Sequence, residues 1–200
     1  MSRRCILNGL SLFNDALKAH LDTIQALHAQ LPMLETIAER MSRAVFDGHK
    51  ILWCGNGGSA ADSQHLAAEF VGRFLKERNA WPSIALTANT SILTAIGNDY
   101  GYEHVFSRQV EAHCSPQDIL VGISTSGNSR NVCLALRTAK QRGAFAVAFT
   151  GRDGRQMAEI ADQTLRIPST ETPRIQEAHI LCGHMLCDYV ERYLTERKAS

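Results

Sequence analysis

The sequence predicts an α/β protein of three layers, in which a doubly wound, five-stranded parallel sheet lies between helices and a pair of helices precedes it. Five short runs rich in apolar, β-branched or aromatic residues are separated by segments of helical character. Strands that alternate with helices pair in parallel through right-handed crossovers. The runs are apolar throughout, which is typical of a sheet covered on both faces.

The N-terminal segment, residues 1–48, is predicted to be helical. Apolar residues recur at spacings of three and four between positions 10 and 47. We expect Pro32 to separate two helices, the second running from about Leu34 to Phe46. This pair would pack on a sheet core formed by residues 49–200, and the sequence shows no repeat or linker, so we expect a single domain.

The expected elements of the sheet core follow in chain order. The strands are ILWC (51–54), SIALT (83–87), DILVGIS (118–124), AFAVAFT (144–150) and QTLRI (163–167). The helical segments are 59–76, 91–113 in pieces, 129–142, 155–161 and a long last helix from about Arg174 to Arg197.

The composition excludes several classes of protein. Apolar residues make up 44% of the chain, so we do not expect disorder. The net charge is +1 without a basic block, which gives no support to nucleic-acid binding. No signal peptide and no apolar run of about 18 residues is recognisable, so we expect no membrane association. The cysteines form no CxxC and are expected to be reduced thiols of a cytoplasmic protein. They are Cys5, Cys54, Cys114, Cys133, Cys182 and Cys187.

Two loops rich in small polar residues each follow a predicted strand and lead into a helix: GNGGS at 55–59 and STSGNS at 124–129. In open α/β sheets, ligands sit outside the carboxyl ends of the strands. Free amides at a helix N-terminus bind anions, and hydroxyls add donors without bulk. We therefore expect a phosphate site at the hydroxyl residues of the second loop, which are Ser124, Thr125, Ser126 and Ser129. The alternative is a tight turn in which Ser129 only caps the helix. Neither loop is a Walker or GxGxxG motif, so a nucleotide is not implied.

Two of the helices carry polar side chains suited to chemistry. His65 and Glu69 are four residues apart, so they project from one helix face and could share a metal or form an acid–base pair. The alternative is a surface hydrogen bond. On the last helix, His179 and His184 point about 140° apart, whereas Gln176 and His184 can share a broad face. Spacing alone does not decide which histidine is functional.

The segment NDYG at 98–101 follows an apolar helical stretch. We expect it to form a turn, because asparagine, aspartate and glycine are turn residues. Asn98 and Asp99 could face a ligand from that turn.

Five separated motifs together carry a resemblance to a known family. In chain order they are GNGGSAADSQHLAAE, AIGNDYG, VGISTSGNS, TGRDG and RIQEAHILCGH. They resemble the bacterial phosphoheptose isomerases, or sedoheptulose 7-phosphate isomerases, of the sugar-isomerase (SIS) domain group. The resemblance covers almost the whole chain. It implies a flavodoxin-like fold, a homotetramer with active sites between subunits, and interconversion of sedoheptulose 7-phosphate and D-glycero-D-manno-heptose 7-phosphate, the first step towards the nucleotide-activated heptoses of lipopolysaccharide.

The resemblance also implies a role for individual residues. It places one zinc ion per subunit on His65, Glu69, Gln176 and His184, and so selects His184 over His179. Glu69 and His184 take the acid–base roles. The implied substrate contacts are Asn56, Gly57, Gly58, Ser59, Glu69, Asn98, Asp99, Ser124, Thr125, Ser126, Ser129 and Gln176. The segment ETP at 171–173 departs from the family pattern, which leaves any contact from Pro173 open.

The residue types suit this reaction. Moving a carbonyl between C2 and C1 through an enediol needs a base and an acid at adjacent carbons. A metal or fixed donors would stabilise charge on the carbonyl oxygen, although a zinc ligand is less free to carry protons. The alternatives are a non-catalytic paralogue that binds the replication initiator DnaA, a regulatory sugar-phosphate module, and an isomerase of another sugar phosphate. Glu69 and His184 favour the enzyme over the initiator-binding adaptor.

Overall fold

Five parallel strands form the central layer of the computed structural model, which describes residues 9–197. They are β1 (Ile51–Gly55), β2 (Ser83–Ala85), β3 (Ile119–Ser124), β4 (Phe145–Thr150) and β5 (Gln163–Arg166). The strand order is β2-β1-β3-β4-β5, and every neighbouring pair is parallel. The predicted five-stranded parallel sheet is confirmed, and the strands lie inside the predicted runs except that β1 extends one residue further, to Gly55.

Helices within the described residues cover both faces of this sheet. The α-helices are α1 (Gly9–Ala26), α2 (Leu31–Phe46), α3 (Gly58–Val71), α4 (Thr90–Tyr100), α5 (Ser107–His113), α6 (Arg130–Gln141), α7 (Arg155–Ile160) and α8 (Thr172–Arg197). Short 3-10 helices occupy Leu27–Gln30 and Tyr102–His104.

The strands alternate between two apolar clusters. Trp53 and Phe149 point to the face covered by α2, α3 and α8, whereas Leu52 and Leu120 point to the face covered by α5 and α6. All residues of β1 and β3 are buried. Because neither face of the central strands meets water, the strand sequences are apolar throughout instead of alternating.

The strand order creates a crevice at one edge of the sheet. β1 is followed by α3 on one face, and the neighbouring β3 is followed by α6 on the other face. The two loops therefore diverge from adjacent strand ends, which is the topological switch point where open α/β sheets bind ligands. These loops are the predicted GNGGS and STSGNS segments.

Some helix boundaries differ from the prediction. The N-terminal break is the 3-10 helix Leu27–Gln30, and Pro32 lies in the first turn of α2. A proline is tolerated there because the first turn leaves its N–H groups unpaired in any case. Helix α3 ends at Val71 rather than near residue 76, because the chain turns at Gly72 and residues 72–80 form a loop.

Two smaller expectations concern the whole chain. No helix within residues 9–197 is long and apolar enough to cross a membrane. The cysteines of this part of the chain are free and buried: Cys54, Cys114, Cys133, Cys182 and Cys187. Cys5 lies outside the described residues.

Candidate active site

Three serine hydroxyls converge in the loop between β3 and α6. Ser124 is buried at the end of β3, and its Oγ lies 2.8 Å from Oγ of Ser129 and 3.2 Å from Oγ of Ser126. The backbone N–H of Asn128 donates to Ser126 Oγ at 3.2 Å. The structure thus brings two of the other predicted hydroxyls, those of Ser126 and Ser129, within hydrogen-bonding distance of Ser124.

Ser129 occupies the N-cap position of α6 but its hydroxyl makes no capping hydrogen bond. It faces Ser124 instead. The first N–H groups of α6 therefore lack that partner, and the positive end of the helix dipole lies beside the hydroxyls. This arrangement suits a phosphate and argues against the alternative in which Ser129 serves only as a cap.

The neighbouring TGRDG segment fixes the shape of the hydroxyl loop. The backbone N–H of Gly151 donates to the carbonyl of Thr125 at 3.2 Å. Gly127 has a φ of 67°, and a Cβ there would collide with the carbonyl oxygen of Gly154. Only glycine fits this position, because the two backbones are in direct contact. The motif TGRDG therefore supports the loop that would hold the phosphate.

The glycines of GNGGS serve two different needs. Gly57 has a φ of 56°, which side chains disfavour. A Cβ at Gly58 would lie 2.7 Å from Nε2 of Gln176, so the missing side chain makes room for the Gln176 amide. Ser59 is buried in the first turn of α3. This loop therefore holds Gln176 against the N-terminus of α3.

The side chain of Asn56 forms two hydrogen bonds with Asn131. Each amide nitrogen donates to the other amide oxygen at 2.9 Å. The Tyr102 hydroxyl also donates to Asn56 Oδ1, at 3.3 Å. Asn131 is only 4% exposed. The side chain of Asn56 thus ties the loop after β1 to α6. Sequence reasoning missed Asn131, because nothing in its local pattern reveals a partner 75 positions away.

His65, Glu69 and His184 meet where α3 contacts α8. Nε2 of His65 lies 2.9 Å from Nε2 of His184 and 3.5 Å from Oε1 of Glu69. The two helices approach closely at Gly183, where a Cβ would lie 2.6 Å from Cδ2 of Leu66. Because Gly183 precedes His184 and Leu66 follows His65, this close approach brings the two imidazoles together.

Two distances in this cluster bear on whether it could bind zinc. Two donors on a tetrahedral zinc ion lie about 3.3 Å apart, between the two distances observed from His65. When the Nε2 atoms of two neutral imidazoles face each other, one must donate a proton to the other. A bound cation would instead accept a lone pair from each of the two nitrogens. The side chain of Gln176 lies against Gly58. Gly58 precedes His65 by seven residues on α3, which is about 10 Å along the axis of that helix. Within residues 9–197, no three histidine, cysteine, aspartate or glutamate side chains form a metal-binding group by themselves.

His179 belongs to the core and not to this cluster. It is 1% exposed, its Nε2 lies 3.2 Å from the carbonyl oxygen of Thr150, and its ring packs against Phe149. Burial lowers the pKa of His179 to about 4, although the hydrogen bond to Thr150 raises it in part. The imidazole is therefore neutral at pH 7, while His184 faces His65.

Asp62 is a further acidic group beside the two histidines. Burial raises the pKa of its carboxyl group, and the nearby His65 and His184 lower it in part. Asp62 lies one turn before His65 on α3. Sequence reasoning did not single it out, although its spacing of three from His65 was the signal that could have done so.

The prediction of a turn at residues 98–101 is wrong. Asn98, Asp99 and Tyr100 form the last turn of α4, and the helix ends at Gly101, which adopts a φ of 93°. Asn98 Nδ2 donates to Asp99 Oδ1 at 2.8 Å, and both residues are exposed. The helix ends at Gly101 and not at Asn98, because glycine adopts a positive φ at no steric cost.

A cavity of about 230 Å³ adjoins the hydroxyl loop. Thr125 and Ser126 line one side of it, and Thr172 and Ile175 at the start of α8 line another. The segment that departs from the family pattern therefore lies close to the candidate phosphate site. Pro173 is exposed in the first turn of α8, where its ring fits the helix but offers no hydrogen-bond donor.

The parallel sheet, its covering helices and the two glycine-containing loops at its switch point place the chain among the open α/β proteins that bind ligands at this edge. A model of the SIS domain matches residues 13–151. The chain is 53% identical to the phosphoheptose isomerase of Aquifex aeolicus over 186 residues, which is 93% of this chain and 96% of that relative. It is 49% identical to the phosphoheptose isomerase of Aneurinibacillus thermoaerophilus over 192 residues, 92% and 97% of the two chains.

The solved structure of phosphoheptose isomerase from Neisseria gonorrhoeae matches with a TM-score of 0.87 at 43% identity, covering 91% of this chain and 98% of that one. The corresponding structure from Francisella tularensis gives a TM-score of 0.90 at 33% identity, covering 93% and 100%. The chain therefore belongs to the phosphoheptose isomerase family, as its motifs predicted. The comparisons lend no support to the initiator-binding adaptor.

Proposed function

We propose that the chain interconverts sedoheptulose 7-phosphate and D-glycero-D-manno-heptose 7-phosphate, the first step towards nucleotide-activated heptoses. The observation that carries the proposal is the meeting of Glu69, His65 and His184 on α3 and α8, beside a sheet edge that bears the hydroxyl loop. An acid–base cluster and an anion site together suit a phosphorylated sugar. The family membership supports the same reaction.

The reaction moves two hydrogens. Glu69 takes the proton from C1 of the ketose while His184 protonates the oxygen on C2, which gives the enediol. His184, which has given up its proton, then takes the proton from the C1 oxygen while Glu69 delivers its proton to C2, which gives the aldose and restores both groups. A half-buried carboxylate beside two imidazoles is suited to this exchange, because it brings a base and an acid together in one place.

We propose that His65, Glu69, Gln176 and His184 hold one zinc ion per subunit. The donor set of two imidazoles, a carboxylate and an amide suits zinc, and the distances from His65 support it. Gln176 would have to reorient from Gly58 to join the other three. Bound there, zinc would stabilise negative charge on the substrate carbonyl oxygen. A carboxylate that binds zinc is a weaker base, so the two roles of Glu69 compete.

We further propose a homotetramer in the cytoplasm. Helix α1 presents an exposed apolar stripe of Leu10, Phe13, Leu17 and Leu21, each more than half exposed. These residues recur at helical spacing on one face, and a large exposed apolar patch marks an interaction site. Burial of this stripe between subunits would explain its composition. The free thiols of the described chain agree with a reducing compartment.

The test is turnover of sedoheptulose 7-phosphate against a panel of other ketose phosphates. Glu69→Gln and His184→Gln should each lower kcat by at least about a hundredfold while the protein still folds. Glu111→Gln and His113→Gln on the exposed side of α5 are matched controls that should leave kcat unchanged. A wild-type protein that isomerises no ketose phosphate would disprove the function, and active Glu69→Gln and His184→Gln variants would disprove the catalytic pair.

Zinc is tested separately. Metal analysis of purified protein should find one zinc ion per chain, and the same analysis of His65→Gln should find a large loss. If protein stripped by a chelator keeps its full kcat, zinc has no part in catalysis. If the metal content of His65→Gln equals that of wild type, the ion binds elsewhere.

A further inference from the structure

A buried ion pair lies behind the catalytic pair. Nε of Arg78 lies 3.1 Å from Oε1 of Glu191, and the two side chains are 5% and 1% exposed. Arg78 belongs to the loop at 72–80 after α3, and Glu191 lies on α8, seven residues after His184. Buried charges are costly unless every donor and acceptor has a partner. Both groups have several here, so the pair holds a fixed geometry.

Arg78 caps the end of α3 at Glu69. Its Nη2 donates to the backbone carbonyl of Glu69 at 2.7 Å, and its Nη1 donates to the carbonyls of Phe70 at 2.8 Å and Gly72 at 3.1 Å. These carbonyls have no partner within the helix, and a cation is favourable at this end of the dipole. The guanidinium also stacks on Trp81 at 3.7 Å. Arg78 is therefore the side chain that holds the backbone at Glu69, and the backbone N–H of Trp81 adds a bond to the carbonyl of Phe70 at 3.1 Å.

Glu191 holds the loop that reaches His184. Its carboxylate accepts the backbone N–H groups of Phe74 at 3.1 Å and of Leu75 and Lys76, each at 2.7 Å. Burial alone would raise its pKa, but these bonds and Arg78 lower it below the usual range, so Glu191 stays ionised. The ring of Phe74 lies against the imidazole of His184, with centroids 5.6 Å apart.

We propose that Arg78 and Glu191 are a positioning pair for the proton transfer, holding Glu69 through its carbonyl and His184 through the ring of Phe74. Neither residue of the pair contacts the reacting side-chain atoms. The inference rests on the proposed acid–base roles of Glu69 and His184. A reacting carboxylate and imidazole must keep a narrow separation, and small displacements lower kcat steeply. The hydroxyl loop lies on β3 and α6, which the pair does not contact.

The experiment compares kcat with KM for sedoheptulose 7-phosphate. Arg78→Lys keeps the charge but cannot reach Glu69, Phe70 and Glu191 together, since lysine lacks the planar fork. Phe74→Leu keeps the backbone bonds to Glu191 and removes the ring from His184. Each variant should lower kcat about tenfold or more and leave KM within about twofold. If Arg78→Lys does not fold, Phe74→Leu still decides.

Two controls separate positioning from general stability. Arg192→Lys alters the exposed pair with Asp188 beside Glu191 and should change neither constant. Leu136→Ala opens a cavity on the other face of the sheet and should lower the melting temperature without lowering kcat at 25 °C. If Leu136→Ala and Arg78→Lys lose kcat in proportion to their stability, the pair is only structural and the proposal fails.

A double-mutant cycle gives the decisive measurement. If Arg78 acts through Glu69, Arg78→Lys should lower kcat by less than about twofold in a Glu69→Gln background. A full and independent tenfold loss there would overturn the proposal. Should Arg78→Lys and Phe74→Leu both keep the wild-type kcat, the positioning role fails while the isomerase function stands. Should the wild-type enzyme turn over no ketose phosphate, both fail.

Discussion

The buried His179 on α8 should make the stability of the folded chain depend on pH. Burial lowers its pKa to about 4, against 6.5 for an ordinary histidine. Because the folded value lies below the unfolded one, the unfolded chain takes up the proton first as the pH falls. The contribution to stability is therefore complete above about pH 6.5 and is lost progressively down to about pH 4.

The size of the effect follows from these two pKa values. Between pH 7.5 and pH 5, the linkage of protonation to unfolding removes about 2 kcal/mol of the free energy of unfolding. His179→Gln removes the titrating group but keeps a donor for the carbonyl of Thr150. The variant also loses packing against Phe149, and this loss lowers its free energy of unfolding equally at both pH values. Wild type should therefore lose about 2 kcal/mol more than the variant over this range.

The assay is urea unfolding followed by tryptophan fluorescence at pH 7.5, 6 and 5. Protein concentration must stay fixed, because assembly of subunits would add to the apparent stability. His113→Gln is a suitable control for the substitution itself, because it makes the same change at an exposed position at the end of α5. An equal loss of stability in wild type and His179→Gln would refute the view that His179 is held neutral in the folded chain.

Three further predictions concern the loops and the surface. Ser126→Ala and Ser129→Ala should each raise KM for the phosphorylated sugar about tenfold, since a hydrogen bond to a charged group contributes about 1.5–3 kcal/mol. Steady-state kinetics measures this, with the exposed Ser115→Ala as control. An unchanged KM in both Ser126→Ala and Ser129→Ala would disprove the prediction. Gln176→Ala should lower the zinc content found by metal analysis, because it removes the proposed amide ligand. Gly97→Ala, with 3.8 Å of clearance, should bind zinc as wild type does. Phe13→Asp combined with Leu17→Asp should reduce the mass found by light scattering, and a mass equal to that of wild type would contradict assembly through α1.

The sheet was predictable because its signal is local. The runs that contain Trp53 and Val121 are apolar and short, and loops of glycine and small polar residues follow them, so both strand position and ligand edge could be inferred. The pairing of His65 with Glu69 was equally local, since a spacing of four on a helix settles it.

What the sequence left open depends on contacts between distant positions. His184 faces His65 because Gly183 lets α8 approach α3, and spacing along α8 does not reveal a neighbour 119 positions away. The early end of α3 has a similar cause, since Arg78 and Glu191 replace its last turn with side-chain bonds. The helix break lies at Leu27–Gln30 and not at Pro32, because proline is tolerated in the first turn of a helix and here lies at the start of α2.

The two halves of the candidate site rest on different parts of the fold. The hydroxyl loop depends on β3, α6 and the backbone of Gly151 and Gly154, whereas Glu69 and His184 depend on the contact of α3 with α8. Substitutions in the first set should therefore act mainly on KM and those in the second mainly on kcat.

The bonds between Asn56 and Asn131 join the two halves, since they tie the loop that begins α3 to α6, the helix that follows the hydroxyl loop. If a phosphate binds at α6, its binding energy can orient the reacting carbons only when the contact between Asn56 and Asn131 is rigid. Binding of a remote group accelerates a reaction by orienting the reacting atoms. Asn131 lies away from the reacting groups, and it is nonetheless the position where kcat and KM should change together.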